Sequence, residues 1–234
     1  GVTQTDYNSG TVAQPATFFS FRLTSLKPAG QVYVPDINLT SGININTSYY
    51  VGATLVSYNV QALYRGAVGV VGTLRGLAAD VVALQEVDRG TRRSGGVDQA
   101  ALLAGELGMA WGFAAAMDYD GGQYGLAVLV RGQVEGTEVL RLPRHGAEEP
   151  RIALRAELRL ASSGERLVLV NTHLTADFGA QRPAALRLDQ ARALAGWLRE
   201  GLSDAEAALL CGDLNCEPDS DPAQALGAVA QPLH

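Results

Sequence analysis

The protein has 234 residues, of which 18 are basic and 24 acidic, giving a formal net charge of -6. This charge provides no overall attraction to nucleic acid or to an anionic membrane, although a local basic site is compatible with it. The length can bury a substantial core, and no run approaches the roughly 18 apolar residues of a spanning helix, so we expect a protein without a membrane span, cytoplasmic or secreted after processing.

The composition changes near residue 52. Residues 1–52 contain the only lysine, Lys27, and are rich in Asn, Thr and Ser, whereas residues 53–234 hold nearly all the arginines and are rich in Ala, Leu and Gly. Within the first segment, "FFSFRLTSL" alternates apolar and polar residues as a short strand does. We therefore predict a β-rich N-terminal extension, residues 1–52, ahead of the main domain, residues 53–234.

From residue 53 onward, strand patterns alternate with helical patterns. "ATLVSYN", "DVVALQE", "RLVLVNTHL" and "AALLCGDLN" are apolar runs that end in polar residues, while "IALRAELRL" alternates as a half-buried strand does. The glycine-rich pieces 94–96 and 121–125 are predicted as turns. Helical spacing appears three times: Val68, Val71, Leu74 and Leu77; Ala101 to Leu107 after an Asp98 cap; and Leu186, Leu194, Trp197 and Leu198 before Gly201. The pattern predicts sheets flanked by helices.

Polar residues end the apolar runs where a buried strand has no need of them. They are Asn59, Glu86, His173, and Asp213 with Asn215. Because neighbouring strand ends gather along one edge of a sheet, we expect these side chains to share a site. A carboxylate there can hold a hard divalent cation, which prefers oxygen ligands and keeps several waters. Glu86 is therefore predicted to be the primary magnesium ligand.

The other residues of this set suit a phosphoryl centre. A neutral amide can bind a phosphate oxygen without repulsion, and an imidazole can donate to an oxyanion. Asp213 is expected to orient or deprotonate the attacking water, with Asn215 beside it for the substrate, because residues two apart on a strand end point the same way.

Each of these residues also has a structural explanation, and only their coincidence at successive strand ends favours a shared site. The alternatives are a strand-end turn at Asn59, a Glu86–Arg89 ion pair, a strand cap by His173, and an Asx turn from Asp213 toward Pro218.

Cysteine and histidine are scarce. A bridge between Cys211 and Cys216 would pinch the Asp213 region, so we predict two buried structural thiols. His145, His173 and His234 are the three histidines, which disfavours a histidine-rich transition-metal site.

Five segments in order, "SYNVQ", "DVVALQEVD", "YGLAVLVR", "LVNTHL" and "CGDLNCEPDS", resemble the endonuclease/exonuclease/phosphatase superfamily. The resemblance implies a four-layered α/β sandwich (deoxyribonuclease I-like) and a phosphoesterase that depends on Mg²⁺, with Mn²⁺ as the alternative, and uses water as its nucleophile. The segment "QEVDRGTRRSGGVDQ" is similar to a bacterial branch of that superfamily.

The resemblance also implies roles for individual residues. Asn59 and Glu86 would lie at the metal, His173 at the scissile phosphate, Asp213 at the attacking water and Asn215 against a phosphate oxygen. These roles agree with those argued from the residues themselves.

Four further positions are weighed on the same resemblance. Tyr124 falls where some members have a substrate-facing aromatic, although a tyrosine after two glycines also suits a turn anchor. Leu126 stands where this branch often has Asn. Arg92 and Arg93 would bind a second anionic group of the substrate, or form a solvated arginine pair.

Family members continue past the "GDLN" motif to a catalytic Asp-His pair, whereas here Leu233 precedes the final His234. The resemblance therefore implies a sandwich that is C-terminally incomplete. The chain is a fragment, or residues 1–52 fill the vacant sheet position, or a second chain completes the sheet.

The resulting expectation is a magnesium-dependent hydrolase of a phosphodiester or phosphomonoester. The alternative is a catalytically impaired or inactive remnant that serves as a binding or structural module. The substrate stays open among nucleic acid, lipid head group and sugar phosphate.

Overall fold

The structure is a computed structural model that describes residues 21–23, 32–33, 37–38, 44–50, 53–59, 67–176, 183–201, 208–217 and 219–232. Side chains are described from residue 71 onward within these ranges, apart from residues 73, 183 and 230–232. Leu233, His234 and Pro218 lie outside the described residues, as does the side chain of Asn59.

The described residues form thirteen strands and four helices. The strands are β1 (Phe21–Leu23), β2 (Val32–Tyr33), β3 (Ile37–Asn38), β4 (Asn44–Tyr50), β5 (Ala53–Asn59), β6 (Val81–Arg89), β7 (Ala110–Tyr119), β8 (Gly122–Val130), β9 (Gly132–Arg141), β10 (Ile152–Leu160), β11 (Arg166–His173), β12 (Ala208–Asp213) and β13 (Ala230–Pro232). The helices are α1 (Ala67–Leu77), α2 (Gln99–Leu107), α3 (Pro183–Gly201) and α4 (Asp221–Gly227).

The strands build two mixed sheets. Sheet I has the order β13-β1-β12-β11-β10-β9, and sheet II the order β2-β4-β5-β6-β8-β7, with β3 paired to β4. Strands β11 and β12 run parallel in sheet I, and β5 and β6 run parallel in sheet II. In sheet I the two parallel strands end in register, with His173 opposite Asp213, whereas in sheet II β5 ends opposite Gln85 and β6 continues to Arg89.

Three buried apolar clusters define four layers. Between the helices α1 and α2 and one face of sheet II lies a cluster that includes Leu74, Leu103 and Leu129. The two sheets pack face to face through residues such as Val128, Leu158 and Leu169. The other face of sheet I is covered by α3 and α4, through residues such as Val170, Leu194 and Leu226. This confirms the predicted four-layered α/β sandwich.

Three of the helices, α1, α2 and α3, occur where the apolar spacing predicted them, and α4 was not predicted. In α2, the N-cap Asp98 accepts a hydrogen bond from the N–H of Ala101 at 3.0 Å, and Gly108 ends the helix in the left-handed conformation. One local prediction was wrong: the turn expected over residues 121–125 is confined to Asp120 and Gly121, and β8 already begins at Gly122. The Asp120 carboxylate holds this turn, since it accepts from the backbone N–H of Arg93 at 2.7 Å.

Strands from the N-terminal segment pair with both sheets. Strand β1 lies between β12 and β13, and β4 lies antiparallel to β5. The division into residues 1–52 and 53–234 stays a prediction. Within the described part of the chain, no helix is both long and apolar enough to cross a membrane.

Candidate active site

His173 and Asp213 lie side by side at the ends of β11 and β12. The two strands are parallel and in register, with His173 opposite Asp213, and Nε2 of His173 is 3.7 Å from Oδ2 of Asp213. Gly212 makes this pairing close, because a Cβ at that position would overlap the backbone carbonyl of Thr172. Both candidate side chains are buried, at 4% and 2% exposure.

Asn215 follows Asp213 around a tight turn. Its backbone N–H donates to Oδ1 of Asp213 at 3.0 Å, and its Nδ2 donates to the carbonyl of Leu174 at 2.9 Å. Asn215 has a φ of 47°, in the left-handed region that asparagine tolerates better than most residues. The Asx turn considered for Asp213 is therefore present, and it leaves Oδ2 facing His173.

Glu86 lies on a bulge in β6. The pairing with β8 shifts register between Leu84 and Val87, and Glu86 has a φ of 58°, which a glutamate adopts only at an energetic cost. The backbone of Asn59 ends the neighbouring β5 and pairs with Gln85. Asn59 ends β5 as predicted, whereas Glu86 was wrongly predicted to end its strand, because β6 resumes its pairing with β8 at Val87 and continues to Arg89. The two residues predicted as metal ligands are thus on neighbouring parallel strands, with Asn59 paired to the residue that precedes Glu86. Arg89, the other partner considered for Glu86, forms an ion pair with Asp98 at 3.2 Å.

The Asn171 side chain connects β11 of sheet I to β6 and β8 of sheet II. Its Oδ1 accepts from Nε2 of Gln85 at 2.7 Å, and its Nδ2 donates to the carbonyls of Leu84 and Ala127 at 2.9 and 3.0 Å. The side chain is 1% exposed. Because Leu84 and Gln85 directly precede Glu86, these bonds tie the bulge of sheet II to the strand that carries His173.

Tyr124 lies in β8, just after the turn at Asp120 and Gly121, and its ring centre is 6.1 Å from that of Tyr119 on the other side of the turn. It faces a small cleft between the sheets, which is lined by Ala116, Tyr124, Gly125, Leu126, Pro150, Arg151, Ile152 and His173. Burial, and then the negative charges of Glu86 and Glu149, raise the pKa of Tyr124 above its ordinary range. The charge of Glu86 therefore acts on the same cleft that His173 lines.

Arg151 lines this cleft and pairs with Glu149, and neither residue was singled out in the sequence. Nη1 of Arg151 is 2.8 Å from Nδ1 of His173 and 3.2 Å from Oε1 of Glu149. Arg151 reaches His173 because of how the strands pair: Ala153 lies opposite Thr172, and Arg151 just precedes β10. That register is not visible in the sequence, which shows only an arginine ahead of an apolar run.

Arg92 and Arg93 differ in their surroundings. Arg93 forms a two-pronged ion pair with the buried Asp88, at 2.6 and 2.8 Å, and its guanidinium lies 4.6 Å from the ring centre of Tyr119 and 5.4 Å from that of Tyr124. Arg92 is 81% exposed and pairs with Asp120 at 2.9 Å. Arg93 thus contacts the ring of Tyr124. A substrate contact for either arginine stays a prediction.

The electrostatics of the site separate its two titrating groups. Burial raises the pKa of Asp213 to about 6, although the Asn215 N–H and the positive charge of Arg151 oppose the shift. Burial and the Arg151 guanidinium hold the pKa of His173 well below its ordinary range. Near neutral pH the site therefore contains an ionised Asp213 and an uncharged His173.

Helix α3 fixes the loop that follows His173. Oε1 of Gln190 accepts from the N–H of Thr175 at 2.9 Å, its Nε2 donates to the Thr175 hydroxyl at 2.9 Å, and Nη1 of Arg187 donates to the Thr175 carbonyl at 3.0 Å. The backbone on the C-terminal side of His173 is thus held by buried side chains.

Both cysteines are free thiols; Cys211 is buried as predicted, whereas Cys216 is only partly buried, so that part of the prediction was wrong. Burial raises the pKa of Cys211 and of Cys216 above the ordinary range of a thiol, so neither is a reactive thiolate near neutral pH.

Known proteins share both sequence and architecture with this chain. Over 86 residues it is 36% identical to Nocturnin of Drosophila melanogaster, a match that covers 37% of this chain and 13% of that protein. Among solved structures, the human Nocturnin catalytic domain with bound sulfate superposes with a TM-score of 0.54 at 21% identity, covering 68% of this chain and 60% of that one. ANGEL2, a 2',3'-cyclic phosphatase in complex with adenosine-2',3'-vanadate, gives 0.59 at 18% identity, covering 79% and 60%.

This chain spans a small part of the fly protein and less than two thirds of either solved chain. The structural likenesses establish a shared fold. The model of the Endonuclease/Exonuclease/phosphatase family matches residues 56–229, well over half of the chain and all of the strand ends described above. The chain belongs to the Endonuclease/Exonuclease/phosphatase family.

Proposed function

We propose that the protein is a divalent-metal-dependent phosphoesterase that hydrolyses a phosphodiester or phosphomonoester by in-line attack of water. The family's named activities all act on phosphate esters. The observation that carries the proposal is the pairing of the buried Asp213 and His173 at the ends of two parallel strands, with Oδ2 and Nε2 3.7 Å apart.

The residues present fit magnesium better than a metal that needs several acidic or histidine ligands. Within the described ranges, no group of three or more His, Cys, Asp or Glu is placed to hold a metal ion. Mg²⁺ binds through one or two protein carboxylates and keeps several waters. Glu86 and Asn59 would hold it, and when bound it would supply Lewis-acid polarisation of a phosphate oxygen.

The side chains of the candidate site divide the remaining chemistry. Asp213 takes a proton from water as the water oxygen bonds to phosphorus, the bond from phosphorus to the leaving oxygen breaks, and that oxygen takes a proton from solvent. His173 donates a hydrogen bond to a phosphate oxygen. The Asn215 amide has two N–H groups, and the one directed away from the Leu174 carbonyl donates to another phosphate oxygen.

Hydrolysis of bis-p-nitrophenyl phosphate and of p-nitrophenyl phosphate across a magnesium titration tests the proposal. We expect hydrolysis that depends on Mg²⁺ and falls by about 100-fold or more in Glu86→Gln, because charge stabilisation at such centres is worth several kcal/mol. Calorimetric titration should show Mg²⁺ binding by the wild-type chain and weaker binding by the variant.

Glu106→Gln is the matched control. Glu106 is 54% exposed and lies in a surface ion pair with Arg75 at 3.4 Å, so its loss should leave the rate unchanged. Equal rates in the wild type and Glu86→Gln would refute the assignment of Glu86. Absence of hydrolysis together with absence of Mg²⁺ binding at millimolar concentration would favour a non-catalytic binding module instead.

A further inference from the structure

The guanidinium of Arg151 lies directly against the imidazole of His173. Nη1 of Arg151 is 2.8 Å from Nδ1 of His173, and the two residues are 6% and 4% exposed. Arginine has five N–H donors and no acceptor. At this distance Nδ1 must therefore accept the hydrogen bond.

The direction of this bond determines which ring nitrogen carries the proton. A neutral imidazole has one N–H, so a bare Nδ1 leaves the proton on Nε2. The opposite tautomer would place two N–H groups against each other in a buried site. Burial and the charge of Arg151 also disfavour the doubly protonated ring, since both lower the pKa of His173.

Arg151 is itself held in place. Its Nη1 lies 3.2 Å from Oε1 of Glu149, and its carbonyl accepts from the N–H of Leu142 at 3.0 Å. It directly precedes β10, whose register with β11 sets Ala153 opposite Thr172. The sheet pairing thus places the guanidinium beside the end of β11.

The other ring nitrogen faces the second functional group. Nε2 of His173 is 3.7 Å from Oδ2 of Asp213, which is longer than a direct N–H···O hydrogen bond. The Nε2–H therefore points toward the Asp213 side of the cleft without being bound to that carboxylate, and it can donate to an oxygen atom that enters there.

We propose that Arg151 is a positioning residue that holds His173 as the neutral Nε2–H tautomer, so that His173 acts only as a hydrogen-bond donor and Asp213 receives the proton of the attacking water. The division of labour rests on the proposed function, whereas the tautomer does not. In the balanced step the water proton moves to an Asp213 oxygen, and the His173 proton stays on Nε2.

Nuclear magnetic resonance of the full chain labelled with ¹⁵N-histidine reads the tautomer directly, without metal or substrate. The chain has three histidines, and His173→Gln identifies the ring signals by their loss. We expect long-range ¹H–¹⁵N correlations near neutral pH to show a protonated Nε2 and a bare Nδ1. A protonated Nδ1, alone or together with Nε2, would overturn the proposal.

Variants of Arg151 test its role. Arg151→Met should lose the single tautomer and lower kcat by about 100-fold while KM changes far less, because a donor in the transition state is lost. Arg151→Lys keeps a donor and should recover the tautomer and part of kcat. Arg159→Met is the control, because Arg159 lies at the far end of β10, where it pairs with Glu135. This variant should change neither the tautomer of His173 nor kcat.

The possible results are separable. A folded Arg151→Met variant that keeps the wild-type tautomer would refute the role of Arg151. If that variant does not fold, the role of Arg151 is decided by the tautomer in the wild-type spectrum and by the tautomer and kcat of Arg151→Lys. A wild-type chain with the expected tautomer but no hydrolysis would refute the proposed function and the proton-transfer role, while the tautomer assignment would stand.

Discussion

Asp213→Asn should stabilise the protein while it abolishes the proposed reaction. Asp213 is 2% exposed, and its Oδ1 accepts from the Asn215 N–H at 3.0 Å. An asparagine keeps that acceptor and nearly the same shape. The substitution therefore removes the buried negative charge and replaces Oδ2, which lies 3.7 Å from Nε2 of His173, with an amide nitrogen of similar size.

The pKa of Asp213 sets the size and sign of the effect. Burial raises it from an ordinary 3.8 to about 6. A carboxyl whose folded-state pKa is raised contributes stability that is complete below the unfolded pKa and is lost as pH rises through the folded one. That loss is ~3 kcal/mol near pH 7 and ~1 kcal/mol near pH 4.5. Because the asparagine carries no charge at either pH, the free energy of unfolding of Asp213→Asn should exceed that of the wild type by these amounts.

Urea unfolding with linear extrapolation at the two pH values measures the difference. Asp189→Asn is the control, because Asp189 is 44% exposed and its loss should change stability by less than ~0.5 kcal/mol. Equal or lower stability of Asp213→Asn near neutral pH, or a gain that does not shrink toward acid, would refute the reasoning. In the wild type, kcat/KM should rise with pH through about 6 as Asp213 ionises.

Two further substitutions test how the strand ends are held. Asn171→Ala removes three buried hydrogen bonds, so it should lower the free energy of unfolding by ~3 kcal/mol and weaken the Mg²⁺ binding measured by calorimetry. The control Gln224→Ala removes one exposed hydrogen bond and should lower the free energy of unfolding by less than ~1 kcal/mol. Equal losses in the two variants would contradict the role of Asn171 in holding the two sheets together. Gly212→Ala should prevent folding, seen as loss of the thermal transition, because its Cβ would overlap the Thr172 backbone. The control Gly196→Ala, whose Cβ would meet no neighbouring atom on α3, should stabilise the protein by ~0.5–1 kcal/mol. A folded Gly212→Ala variant would show that β11 and β12 can move apart, and would contradict this expectation.

The architecture was largely predictable because its elements follow their own periodicity. The spacing of Leu74 and Leu77 and of Leu194 and Leu198 gave α1 and α3 their buried faces, and the alternation in "IALRAELRL" gave β10 its half-buried pattern. The glycines at 121–125 misled because Gly122 and Gly125 serve close strand packing, where a Cβ would overlap neighbouring backbone, and not chain reversal.

The site was predictable where a side chain breaks the pattern of its own strand. His173 and Asp213 end apolar runs, and the structure places them together because β11 and β12 are parallel neighbours. Arg151 and Asn171 could not be found in this way. Their roles depend on which strands pair across and between the sheets, and a buried polar residue inside an apolar run shows only that some partner exists.

Several costly features coincide at this edge of the sandwich. Among the non-glycine residues with positive φ in the described ranges, Ala78 and Asp120 lie at turns, whereas Glu86 and Asn215 lie at the candidate site. Backbone strain of this kind costs on the order of 1–3 kcal/mol per residue, and the buried charge of Asp213 adds a similar cost. A module that only bound a partner could replace each feature with a more stable one. Their joint presence favours a reaction at this site, because a carboxylate on a strained backbone, a buried acid and an imidazole that can donate a hydrogen bond are each useful to phosphoryl chemistry.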